Sequence, residues 1–181
     1  MSTGRRILKN IFSLTAAELA GKGLQAFVIF YIANLLGDSE YGIYGFARTH
    51  VAFYILAAIL GTDVFGTRVI AADKSPENIR KTVNNIFSIR VISASLAYGV
   101  LLIVAFSGKD MSSHARTMLL ISGANIFSMS FMLHWVYQGL ERMGIFAVRN
   151  VIAAALNITG LLIFVHGPED STLAMIIVQS S

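Results

Sequence analysis

Long apolar runs separated by short polar patches make up most of this chain. A helix needs about 20 mostly apolar residues to cross about 30 Å of hydrocarbon. Five windows reach that length, at residues 11–36, 41–65, 83–106, 117–137 and 145–165. A further apolar run begins near Thr172, and its ten residues would rise only about 15 Å as a helix. The pattern predicts an all-α, polytopic transmembrane helix bundle with five full spans and a truncated sixth, forming one bundle over residues 1–181.

Composition supports the same class of protein. Of the 181 residues, 55% are hydrophobic and only 13% are charged, and the mean hydropathy is +0.68. Soluble domains carry about 25% charged residues, so this chain has too little polar surface to cover a globule in water. Cysteine is absent, which excludes disulfides, thiolate metal sites and a cysteine nucleophile.

Basic residues predict the orientation of the bundle. With the N-terminus in the cytoplasm, nine Lys and Arg residues lie on the cytoplasmic side, counting Arg149 at the start of the fifth window, and the outer loops hold two. Positive charge is enriched on the cytoplasmic side of membrane proteins, so this orientation is the expected one. A cleaved signal peptide is the competing interpretation. The apolar region after Arg6 is too long for one and contains Glu18 and Lys22.

Two helix borders can be predicted from local sequence. In "KSPENIRK", Ser75 is a suitable N-cap and Pro76 suits the first helical position, so the third helix should begin there. In "HWVYQGLERM", Trp135 and Tyr137 are expected at the membrane interface, where amphipathic rings are favoured. Gln138-Gly139 would then end the fourth helix.

The first window carries a polar stripe. Thr15, Glu18, Lys22 and Gln25 fall within an arc of about 80° at 100° per residue. Glu18 and Lys22 are four residues apart, in the order that favours an ion pair. Four aligned polar residues exceed what one ion pair needs, so we expect this stripe to line a hydrated substrate cavity. The alternative is a self-neutralised pair that packs against other helices.

Other ionisable residues in the windows are weaker candidates. Arg48 stays protonated even when buried, so it is the second cationic candidate for the cavity. The alternative is that its side chain extends to the outer membrane surface. His50 lies about 160° away on the same helix and is expected to be a neutral packing residue. Asp63 is expected near the cytoplasmic border, paired with Arg68.

Arg90 and His134 are secondary candidates. Arg90 lies one or two turns from the cytoplasm, and snorkelling is its favoured fate. His134 is expected to be a hydrogen-bonded interface residue rather than a proton relay. Small and polar residues on the other side of the third window predict a helix-packing face. These residues are Asn84, Ser88, Ser95 and Gly99.

Signatures of enzymes are missing from the sequence. It has no nucleophile elbow, no phosphate-binding glycine loop and no metal-ligand spacing, and its aqueous loops are too short for a catalytic domain. We therefore expect no catalytic residue, cofactor, metal site or nucleic-acid partner. Transport is the more economical hypothesis.

Three stretches carry a resemblance to a known family. "ANLLGDSEYGIYG" is similar to the "ARxLGxxxYGxY" pattern at the end of the first helix of polysaccharide-biosynthesis flippases. "GTDVFGTRVIAADKSPENI" resembles the loop after the second helix of that family, and "WVYQGLERMGIFAV" resembles the loop between helices four and five. These flippases are lipid-linked oligosaccharide (O-antigen) exporters of the multidrug/oligosaccharidyl-lipid/polysaccharide superfamily. One departure is Asn34, where the family often has Arg.

The resemblance implies a fold of two six-helix bundles around a central cavity, of which this chain would be the N-terminal half. It implies transfer of an undecaprenyl-diphosphate-linked oligosaccharide from the cytoplasmic to the periplasmic leaflet of the bacterial inner membrane. Lys22 and Arg48 would attract the anionic diphosphate, and Glu18 and Gln25 would tune Lys22 or contact sugar. Membrane lipids and polysaccharide-assembly proteins are the other expected partners. Because five spans are about half of that architecture, the chain is expected to be a fragment that does not transport alone.

Two other functions stay open at this point. A cation-coupled drug exporter of the same superfamily would need an acidic residue deep in the outer half of the first helix, and Glu18 lies in the inner half. A non-transporting membrane scaffold for polysaccharide assembly would tolerate replacement of Lys22, whereas a flippase would not.

Overall fold

A computed structural model of the chain describes the backbone at residues 3–108 and 111–179. Side chains are described from residue 21 onward within those ranges, together with Leu19, except at positions 146 and 147. Eight α-helices and one 3₁₀ turn, at Pro168–Asp170, make up nearly all of the described chain. The helices are α1 (Thr3–Ile59), α2 (Thr62–Ala72), α3 (Pro76–Ser107), α4 (Ser113–Gly123), α5 (Asn125–Ser130), α6 (His134–Gly139), α7 (Met143–Phe164) and α8 (Ser171–Gln179).

The chain divides into two compact units. Unit 1 contains residues 1–37 and 143–181, and unit 2 contains residues 38–142. The division falls at Gly37, where α1 is kinked because this glycine has φ +70° and ψ 173°. That conformation is accessible mainly to glycine. Gly37 thus separates the first predicted window from the second.

Four helical stretches of the described chain are long and apolar enough to cross a membrane, judged by length and composition alone. They are Gly21–Ile59, Pro76–Ser107, Ser113–Gly139 and Met143–Phe164. The first has 39 residues and would rise about 58 Å as one helix, nearly twice the hydrocarbon thickness. Its kink at Gly37 leaves room for the two spans predicted there. An all-α fold with membrane-spanning helices is confirmed, and the count of five spans in one bundle stays a prediction.

The second predicted window ends earlier than expected. Leu60 and Gly61 both have positive φ, at 50° and 68°, and this pair ends α1 after Ile59. The chain then forms α2, an 11-residue helix in the segment expected to be a cytoplasmic loop. Apolar composition continues through Phe65, so composition alone did not mark the break.

Helix α3 begins as predicted. Ser75 is its N-cap, and the Oγ atom accepts a hydrogen bond from the Asn78 backbone N–H at 3.3 Å. The buried face of α3 differs from the expected one, because Asn84, Ser88 and Ser95 are exposed. Unit 2 instead buries the residues Thr82, Ile86, Arg90, Ala94, Ala97, Leu101 and Ala105.

The fourth predicted span is divided into three helices. α4 ends at Gly123, α5 ends at Ser130, and residues 131–133 separate α5 from α6. Gly123 allows close packing, since a Cβ there would lie 2.8 Å from the Tyr98 ring. The interruption at 131–133 places His134 and Trp135 at the start of a new helix rather than at the end of a long one.

Unit 1 packs α1 with α7 and α8. Val28, Ile32 and Leu36 form the buried stripe of α1 at helical spacing. The Tyr31 hydroxyl donates to the Val165 carbonyl at 3.4 Å, and a Cβ at Gly160 would lie 3.2 Å from Ile177. These contacts hold residues predicted to form the first and fifth spans in one unit.

Candidate functional site: a buried arginine cluster

Arg90 lies at the centre of a polar cluster inside unit 2. Its side chain is only 1% exposed, and its Nη2 atom lies 2.5 Å from the Asp63 carboxylate. The Nε atom donates to the Thr62 hydroxyl at 2.7 Å, and Nη1 donates to the Ser130 carbonyl at 3.1 Å. The guanidinium also lies over the Trp135 ring, 5.9 Å from its centroid. Each of its three nitrogens therefore has an oxygen acceptor.

The partners of Arg90 flank two interruptions of helical structure. Thr62 and Asp63 follow directly after the break at Leu60–Gly61, and Ser130 comes directly before the break at 131–133. Helix breaks leave backbone groups without intrahelical partners. Arg90 binds one such carbonyl and the two side chains at the start of α2. One guanidinium thereby ties α2, α3 and α5 together.

Asp63 is shared between two basic groups. One carboxylate oxygen binds Arg90, and the other lies 3.5 Å from Nε2 of His134. The expected pairing of Asp63 with Arg68 is wrong, because Arg68 is exposed on the opposite face of α2. The expected snorkelling of Arg90 is also wrong. Burial with a carboxylate partner gives this cation a lower free energy than an unpaired position in an apolar core would.

Trp135 is a core residue and not an interface anchor. It is 1% exposed and packs with Ile70 and Ile86. Gly66 makes this possible, because a Cβ there would lie 2.4 Å from the Trp135 ring. The Thr67 hydroxyl donates to the Trp135 carbonyl at 3.2 Å. Tyr137 is 36% exposed, and its position at the membrane interface stays a prediction.

The predicted cavity residues lie in different parts of the molecule. Lys22 and Gln25 are exposed on α1 within unit 1, and the side chain of Glu18 lies outside the described side chains. Arg48 is exposed on α1 within unit 2, where its Nη1 lies 3.4 Å from the Tyr44 hydroxyl. Each cation is thus accessible within its own unit. Their joint role in one cavity stays a prediction.

Unit 2 also contains an open, largely apolar cavity of about 610 Å³. Its lining comes from the start of the second half of α1 and from the α3–α4 connection: Ser39, Gly42, Ile43, Phe46, Gly108, Met111, Ser112 and Ala115. Glu40 and His114 connect the same two segments, with a carboxylate-to-Nε2 distance of 2.8 Å. The lining residues that the structure describes carry no cationic side chain.

Within the ranges that the structure describes, no group of three or more His, Asp and Glu side chains is placed to hold a metal ion. Sequence reasoning missed the association of Arg90 with Asp63 and Ser130. The only available signal was the presence of an Arg and an Asp in neighbouring apolar windows, and these residues are 27 positions apart.

These features define a helical membrane protein with a buried arginine that is paired with a carboxylate inside unit 2. The profile of the polysaccharide biosynthesis protein family matches residues 7–181. The chain therefore belongs to that family, and its role is in the synthesis or export of polysaccharide. Searches of curated proteins and of solved structures gave no significant match.

Proposed function

We propose that this chain is the N-terminal part of a flippase that moves undecaprenyl-diphosphate-linked oligosaccharide from the cytoplasmic to the periplasmic leaflet of the bacterial inner membrane. The family match over residues 7–181 is the observation that carries this proposal. The four helical stretches that are long and apolar enough to cross a membrane agree with transport. On this proposal the active transporter includes a second bundle.

The exposed cations Lys22 and Arg48 of α1 support the same function. A charged residue in an apolar helix costs about 2.5–3.5 kcal/mol at mid-bilayer, so such residues mark functional sites by default. Lys22 and Arg48 are each exposed on α1, whereas Arg90 is buried and hydrogen-bonded to its partners inside unit 2. Exposed cations can neutralise an anionic diphosphate in a hydrated cavity, while a polyprenyl tail remains in lipid.

We expect replacement of Lys22 or Arg48 by Ala to reduce transport at least about tenfold, since either change removes a charge-assisted contact worth about 1.5–3 kcal/mol. The assay uses the gene at its native locus, with any second bundle present. Surface polysaccharide and lipid-linked oligosaccharide retained in the inner leaflet are measured together. Deletion of the gene should lower the first and raise the second.

Arg142→Ala is the matched control, because it removes an exposed cation from the connection between α6 and α7 rather than from α1. It should leave surface polysaccharide unchanged. Normal polysaccharide in the Lys22 and Arg48 variants, with the protein still inserted, would support the scaffold alternative. Drug efflux from a sensitised strain without a polysaccharide phenotype would support the drug exporter.

The proposed orientation makes a separate prediction. Alkaline phosphatase is active only outside the cytoplasm, and green fluorescent protein is fluorescent when it folds inside. Phosphatase joined after Asp38 or Gly167 should be active, and fusions after Asp73 or Arg142 should be inactive. The fluorescent reporter should give the inverse pattern. Phosphatase activity after Asp73 would reverse the proposed orientation.

A further inference from the structure

Helix α2 has two different faces. Gly66 and Ile70 are buried in the core of unit 2. Val64 and Phe65 are each more than half exposed, and with Arg68, Ala71 and Ala72 they occupy an arc of about 120° on the other side. An exposed apolar surface in a membrane protein is covered by lipid or by protein.

Three exposed cations lie beside the C-terminal end of α2. Arg68, Arg80 and Lys81 are all exposed, and within the described chain none of them forms a salt bridge. Lys74, in the same region, is paired with Glu141 at 3.0 Å. From residue 68 to residue 81 the chain has four cations and two carboxylates, a net charge of +2.

The first turn of α3 is attached to the end of α2. The Asn78 side-chain amide donates to the Val69 carbonyl at 3.3 Å and to the Asp73 carbonyl at 2.7 Å. The cations of the two helices are therefore held at one end of unit 2. On the exposed side, the apolar residues Val64 and Phe65 lie in the first turn of α2, and the cations Arg68, Arg80 and Lys81 follow later in α2 and in the first turns of α3.

This order of apolar and then basic residues matches the boundary between the hydrocarbon and the headgroups of a bilayer. Apolar side chains of interfacial helices enter the acyl region, and Lys and Arg side chains contact anionic headgroups. We propose that the exposed face of α2, with Arg80 and Lys81, is a docking surface for anionic phospholipid headgroups of the cytoplasmic leaflet. The assignment to the cytoplasmic leaflet depends on the orientation proposed above. The order of apolar and basic residues does not depend on it.

Spin-label depth measurements test the placement of the helix. Because the chain has no cysteine, Phe65→Cys and Ala72→Cys each introduce a single labelling site into residues 1–181. The two positions are seven residues apart, about 10 Å along the helix. In vesicles we expect the label at 65 to collide mainly with oxygen and the label at 72 mainly with a water-soluble nickel complex. Shielding of both labels from both reagents would mean that protein covers this face, and would overturn the proposal.

Lipid retention tests the headgroup chemistry. The full-length protein is purified from membranes and placed in vesicles of phosphatidylcholine with or without phosphatidylglycerol. We expect at least about fivefold preferential retention of phosphatidylglycerol. Replacing Arg68, Arg80 and Lys81 together by Ala should abolish the preference, and the charge-preserving set Arg68→Lys, Arg80→Lys and Lys81→Arg should retain it. Glu77→Gln, which removes an exposed carboxylate from the same turn, should increase it.

Two outcomes would contradict this assignment. Equal retention of the two lipids, or a preference that survives the triple Ala change, would remove the headgroup role. Displacement of phosphatidylglycerol by a small molar fraction of undecaprenyl diphosphate would assign the surface to transported substrate instead of bulk lipid. A failure of the flippase proposal would show in surface polysaccharide and would leave these lipid measurements unchanged.

Discussion

Arg90→Ala should destabilise the protein by about 3–5 kcal/mol, the usual result when one partner of a buried ion pair is removed. The change leaves the Asp63 carboxylate without its partner at 2.5 Å and the Ser130 carbonyl without its donor. Unfolding can be followed by fluorescence in mixed detergent micelles. Trp135 is the only tryptophan of the chain and lies against Arg90, so its emission reports directly on this core.

The control for this variant is Arg80→Ala on the same helix. Arg80 is exposed, and exposed substitutions usually change stability by less than about 0.5 kcal/mol. A second variant replaces Arg90 by Met and Asp63 by Asn. It should recover part of the loss, because no isolated charge then remains in the core. If Arg90→Ala and Arg80→Ala had the same unfolding midpoint, the cluster would not stabilise unit 2.

Gly66→Ala should destabilise the protein by about 1–3 kcal/mol, the usual cost of overpacking. The added Cβ would lie 2.4 Å from one atom of the Trp135 ring and 2.7 Å from the Ile86 side chain. Contacts this short force α2 away from α6 or rotate the ring. We expect a lower unfolding midpoint and a red-shifted Trp135 emission in the same assay.

Gly99→Ala should change the stability in the opposite direction. Gly99 is inside α3, and a Cβ there would meet nothing within 4 Å. Alanine is favoured over glycine in a helix by about 1 kcal/mol, so this variant should be neutral or more stable. Destabilisation by both substitutions to a similar extent would mean that the loss at Gly66 does not come from its close contact with Trp135.

The buried arginine also changes the interpretation of the other charged residues. A cation in an apolar helix is a functional candidate by default, and Lys22, Arg48 and Arg90 are such cations. Arg90 is fully engaged by Thr62, Asp63 and Ser130, so its evident role is structural. Lys22 and Arg48 remain exposed and are the better candidates for substrate contact.

The sequence by itself determined the fold class and most helix positions. Runs of about 20 apolar residues have few stable arrangements other than membrane helices, because backbone polar groups must be satisfied internally. The start of α3 was also predictable, since Ser75 and Pro76 act locally on the first turn. Gly37 ends a window at the boundary that polarity had indicated.

Only the tertiary structure decided which side chains meet. Trp135 and Arg90 are 45 positions apart in the chain, and neither periodicity nor composition encodes a contact over such a distance. Hydropathy also missed the breaks at Leu60–Gly61 and at 131–133, because the residues there are apolar. The length of an apolar run shows only how many residues can be transferred to lipid as a helix. The pairing of Arg90 with Asp63 depends instead on which neighbouring helices pack against α3, which made a predicted surface arginine part of the core.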